Sequence, residues 1–194
     1  MSQPASVWRG LITFHPESLS AWTMVAAVAH GAYLAAQSGG AWRNVLLFLH
    51  TFIHAPFSIG YHACRETCPD RAALFRKDAA FIFISGILVH VAVSKDPRVF
   101  AITLPLYIVL VLQAIESITK EKTKDGMKAA SMRYIVVLLL SYIPICLEHG
   151  IKAIFSHLCM FVIVYIVYSK RLKYSSATMH CGVILNNWIL HMLV

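Results

Sequence analysis

Four residues in this chain could do chemistry together: Ser58, His62, Asp78 and His180. Imidazole nitrogen and carboxylate oxygen are the usual ligands of zinc, and zinc with an open position activates water. In this reading His62, His180 and Asp78 are the candidate metal ligands. Asp78 doubles as a candidate base, and the Ser58 hydroxyl is a candidate oxyanion donor. His62 and Ser58 belong to a series, His50, His54, Ser58 and His62, in which each member is four residues from the next. On a helix such residues share one slowly drifting stripe. His50 lies roughly 18 Å from His62 along that stripe, so one metal cannot bind both. His54 lies roughly 12 Å from His62 and supplies no obvious third ligand. Cys64 and Cys68 offer a rival set with His62, but His-x-Cys-x-x-x-Cys is not a common zinc spacing.

The elements that must position these residues are membrane helices. The chain has 194 residues, of which 58% are apolar and only 13% charged, and its mean hydropathy is +0.66. A soluble domain would carry about a quarter charged residues. Apolar runs occupy roughly 19–37, 44–63, 79–95, 99–117, 133–148, 151–169 and 176–194. Each approaches the ~20 residues that cross a bilayer. The expected fold is all-α: a seven-transmembrane helix bundle over 19–194, preceded by a short N-terminal segment, 1–18. No cleavable signal peptide is expected. The five cysteines do not suggest an extracellular disulfide framework.

The basic residues give an orientation. With seven spans, thirteen Lys and Arg fall on one side of the connections and four on the other. Cytoplasmic loops carry the excess, so the N-terminus is cytoplasmic and the C-terminus outside or lumenal. The same rule accounts for the net charge of +8 without any nucleic-acid partner. The run Lys120–Lys128 reads as a charged cytoplasmic loop. His62 ends the second span, Asp78 opens the third, and His180 lies one turn into the seventh. All three therefore reach the cytoplasmic face. Taken alone, Asp78 at a helix start also fits simple capping, and lone histidines such as His30, His90, His157 and His191 fit interhelical hydrogen bonding.

The segment Ser58-Ile-Gly-Tyr-His62, followed by Leu74-Phe-Arg-Lys-Asp78, resembles the CREST superfamily of seven-span proteins. That group includes the adiponectin and progestin receptors, hemolysin III proteins, alkaline ceramidases and myomaker-like proteins. Its pattern is Ser-x-x-x-His late in span two, Asp early in span three and His-x-x-x-His at the start of span seven. The resemblance implies a zinc site and, in hydrolytic members, cleavage of a lipid amide or ester, with a sphingolipid or phospholipid as the partner. The last motif departs here: Ser176 stands where the first histidine of the pair belongs, four residues before His180. Two functions stay open at this point. One is a zinc-dependent lipid hydrolase. The other is a catalytically degenerate receptor, membrane-remodelling factor or structural membrane protein.

Overall fold

A computed structural model describes residues 16–64, 68–141, 143–151, 153–155, 158, 162 and 175–194. The described residues are all-α, with no strand among them. Seven helices have clear bounds: α1 Pro16–Gln37, α2 Trp42–Ala63, α3 Arg71–Val93, α4 Pro97–Lys120, α5 Lys124–Ser141, α6 Ile143–Glu148 and α7 Ser175–Leu193. Most of the expected sixth span, 151–169, and most of the segment 1–18 lie outside the described residues.

Among the described residues, two helices are long and apolar enough to cross a membrane by length and composition, Glu17–Gln37 and Pro97–Lys120. The surface of α4 explains why. Ile102, Leu106, Val109 and Leu112 are all exposed, with Ile102 at 74%. Their spacing makes one continuous apolar face. In water such a face would be an aggregation liability; in lipid it is solvated. The opposite face of α4, with Tyr107, Val111, Ala114 and Ile118, packs on Ala79 and Phe83 of α3 and on Met127 and Ala130 of α5. Polar residues are hidden instead: Thr51, Ser58, Ser85, His90 and Asn187 are buried. Apolar residues outside and polar ones inside is the arrangement that a hydrocarbon solvent favours.

Short connections join α1 to α2, α2 to α3, α3 to α4 and α4 to α5, and each of these pairs packs together. α1 leaves through a left-handed pair, Gly39 and Gly40, at φ 66° and 75°, which side chains bearing a Cβ rarely adopt. α4 opens with Pro97 at its first turn and Asp96 as N-cap, whose side chain accepts from the Arg98 N–H at 2.8 Å. A second carboxylate closes this turn from afar. Glu148 Oε2, at the end of α6, accepts from the Lys95 and Asp96 N–H groups at 2.6 and 2.9 Å.

α7 packs back against α1 and also touches α2. Polar pairs fix its direction. Asn187 Nδ2 donates to Thr51 Oγ1 at 2.9 Å, and His191 Nδ1 donates to Asn44 Oδ1 at 2.7 Å. The C-terminus of α7 therefore sits beside the start of α2, and the start of α7 beside the end of α2.

Three expectations are corrected by these bounds. The third helix begins at Arg71, eight residues before the expected span, so Asp78 lies two turns inside α3 and does not open it. Asp70 is the N-cap residue there, which removes the capping account of Asp78. The run Lys120–Lys128 is not one loop, because α5 starts at Lys124. Charged residues in the first turns of α3 and α5 lengthen the helices beyond their apolar cores, as helices that end in headgroups can.

Candidate functional site

The end of α2, the start of α7, the first turn of α1 and the second turn of α3 meet at one end of the bundle. His62 comes from α2 and His180 from α7. Their rings meet edge to face, with centroids 5.2 Å apart. Both side chains are buried, at 5% and 3% exposure.

Each imidazole is held by its Nδ1. His62 Nδ1 donates to Glu17 Oε2 at 2.7 Å. His180 Nδ1 donates to the Ser20 carbonyl at 2.9 Å, with Thr23 Oγ1 at 3.1 Å from the same nitrogen. A carbonyl oxygen can only accept, so this contact puts the hydrogen of His180 on Nδ1. Its Nε2 then carries the lone pair. The Glu17 carboxylate imposes the same tautomer on a neutral His62. This is how zinc-binding histidines are commonly held: one nitrogen is tied to a carboxylate or carbonyl, and the other is left for the metal.

Asp78 reaches the same region from α3. His54 Nε2 donates to its Oδ1 at 2.8 Å, and the pair is well covered, at 8% and 16% side-chain exposure. The sequence argument set His54 aside as too far along its own helix. Because α3 starts early, Asp78 sits deeper than expected and falls level with His54, which thereby joins the site indirectly. The stripe on α2 thus serves two neighbours: His54 turns to α3, whereas His62 turns to α1 and α7.

Ser58 lies one turn from both His54 and His62. It is fully buried at 0%, and its Oγ has no hydrogen-bond partner. An orphaned buried hydroxyl marks a place for a water or a ligand group. Ser176 lies one turn before His180 at intermediate exposure.

Two residues at the site were missed from sequence. Glu17 was assigned to the N-terminal segment, yet it belongs to the first turn of α1. Arg71 looked like one more topological charge. It is buried at 8%, lies 3.6 Å from Glu17 Oε1, and spreads over the Tyr61 ring at 4.8 Å. Cys64 and Cys68 are joined as a disulfide, so they offer no thiolate to the rival metal set with His62. A single bridge is not a framework, but it was not expected.

The fit to zinc can be tested on this geometry. Two imidazoles sharing one tetrahedral zinc through bonds near 2 Å have ring centroids about 5 Å apart. His62 and His180 match that separation. A third ligand is not in place. Among the described residues no three His, Cys, Asp or Glu side chains are gathered as a metal site. The same spacing is also that of two rings in ordinary edge-to-face contact, and the Asp78 carboxylate is engaged by His54 on the α2–α3 side.

Comparison with family models, with curated proteins and with solved structures finds no match.

Proposed function

We propose that this chain is a multi-pass integral membrane protein, a seven-helix bundle with a cytoplasmic N-terminus. In this reading it is a zinc-dependent lipid hydrolase whose site lies near the cytoplasmic face. The observation that carries the reading is the His62–His180 pair, with both Nδ1 atoms tied away and the rings 5.2 Å apart. The outward apolar face of α4 supports a bilayer setting. The resemblance of Ser58, His62 and Asp78 to the CREST pattern supports the reaction class.

His62 and His180 would hold the metal, and Asp78 would complete the set or act beside it. A zinc ion held there would supply Lewis acidity to polarise an amide or ester carbonyl. The remaining work belongs to the chain. Asp78 accepts a proton from the attacking water and passes it to the amine or alkoxide as the C–N or C–O bond breaks, and His54 keeps its carboxylate oriented through Oδ1. Ser58 donates its unpartnered hydroxyl to the developing oxyanion. Glu17 and Ser20 keep the two imidazoles in one tautomer. The covered walls of α1, α2, α3 and α7 exclude bulk water. The substrate arrives from the bilayer, as a ceramide-like amide or a phospholipid ester.

One observation favours the second reading, a non-catalytic relative acting as receptor or structural component. Ser176 stands in place of a histidine, and among the described residues no third ligand is gathered at the pair. Hydrolysis separates the two. Purified full-length protein in nanodiscs is supplied with zinc and assayed on ceramide-like and phospholipid substrates. Turnover that disappears with a chelator, with Asp78→Asn and with His180→Ala supports the hydrolase. Turnover equal to empty nanodiscs supports the non-catalytic reading.

A further inference from the structure

Cys64 and Cys68 lie in the connection between α2 and α3, and they are bonded to each other. We infer that this pair is a reversible redox site whose state sets the position of His62. A chain of contacts leads from the sulfurs to the ring. Cys64 is the C-cap residue of α2, two residues beyond His62. Its carbonyl accepts a hydrogen bond from Arg71 Nη1. The backbone N–H of Arg71 donates to the Cys68 carbonyl at 3.2 Å. Arg71 is therefore bonded to both members of the pair. Its guanidinium then lies 3.6 Å from Glu17 Oε1, and Glu17 Oε2 takes the Nδ1 hydrogen of His62 at 2.7 Å. With the disulfide closed, the two carbonyls that hold Arg71 keep a fixed separation. With it open, that constraint is gone, and Arg71, Glu17 and His62 can rearrange in turn.

Location argues for reversibility. Arg71, Arg76 and Lys77 follow the pair, which places it on the cytoplasmic side under the orientation proposed above. Inference and orientation stand together on that point. Disulfides persist poorly in the cytoplasm, and those found there are usually transient, catalytic or sensing. Access is also unequal. Cys64 is buried at 1%, whereas Cys68 is partly exposed. A small cytosolic thiol such as glutathione attacks Cys68 Sγ as its thiolate. The S–S bond breaks, and the Cys64 sulfur leaves with the electron pair and takes a proton. A second thiol attacks the mixed disulfide and frees the Cys68 thiol. Two thiols have then given two electrons, and they depart as their own disulfide.

The test uses the full chain in nanodiscs with no added metal. The protein is compared as purified, after reduction with dithiothreitol, and after reoxidation with glutathione disulfide. Thiols are counted with N-ethylmaleimide, and histidine reactivity to diethyl pyrocarbonate is mapped by mass spectrometry. The expected result is two further thiols on reduction, a several-fold faster modification of His62, and reversal of both on reoxidation. His90, hydrogen-bonded to Thr103 elsewhere in the bundle, keeps its rate. Arg71→Gln gives the fast His62 rate in the oxidised protein. The inference is overturned if His62 reacts equally in both states, if His90 accelerates with it, or if glutathione disulfide fails to close the pair. Neither zinc nor turnover enters the readout, so its failure is distinguishable from failure of the hydrolase reading.

Discussion

His54 and Asp78 form a buried pair at 2.8 Å, one from the middle of α2 and one from the second turn of α3. This contact ties α2 to α3 at the depth of the site. It also decides what Asp78 can do, because one carboxylate oxygen is engaged and its orientation is fixed. Removing one partner of a buried pair leaves the other uncompensated, which costs about 3–5 kcal/mol. His54→Ala should lower the thermal midpoint in detergent sharply, and His54→Gln, which can still donate, should lower it less. Equal midpoints for wild type and His54→Ala would show that the pair adds no stability.

Glu17 is expected to act on metal affinity as well as on folding, because buried Arg71 loses its carboxylate partner with it. Loss of the partner that orients a ligating histidine typically weakens metal binding about 10–100-fold. Glu17→Ala should weaken zinc binding in that range in a competition titration, and Glu17→Gln, which keeps an acceptor, should weaken it less. An unchanged affinity for Glu17→Ala would separate Glu17 from the site.

Glu148 gives a different pattern. It caps the α3–α4 turn through the N–H groups of Lys95 and Asp96, far from His62. Glu148→Ala should cost about 1 kcal/mol, the usual loss for a cap, and leave zinc affinity alone. A change in zinc affinity for this variant would mean that the two ends of the bundle are coupled.

The seam between α2 and α7 should be worth little per contact. Interhelical hydrogen bonds in membrane bundles average about 0.6 kcal/mol by double-mutant cycles. The cycle Thr51→Val with Asn187→Leu is expected to return a coupling near that size. A coupling several times larger would assign the seam a dominant role in holding α7.

Much of this arrangement was legible in the sequence because apolar runs and helices coincide along much of the chain. The bounds of α1, α2, α4 and α7 differ from the expected spans by three residues or fewer at each end. Charge hid the rest. Arg71, Arg76 and Lys77 read as a loop, although a helix can carry such residues into the headgroup region. That one misreading moved Asp78 to a helix start and concealed its pairing with His54. Glu17 was hidden for the same reason, as a charge just outside an apolar run. His62 and His180 were brought together correctly from span direction alone, since both lie at the basic end. The disulfide could not be read from spacing, because cysteine pairing depends on where two backbones end.

The direct test of the central claim is zinc content. Wild type, His62→Ala, His180→Ala and Ser176→His are purified identically and measured by mass spectrometry of the metal. Residue 176 lies four positions before His180 on α7, so a histidine there shares its face without any backbone change. The account predicts zinc in wild type, loss in both alanine variants and higher occupancy in Ser176→His. The same trace of zinc in all four would contradict it, and the His62–His180 pair would then be a packed ring contact between helices, with each ring hydrogen-bonded to α1 and no metal function.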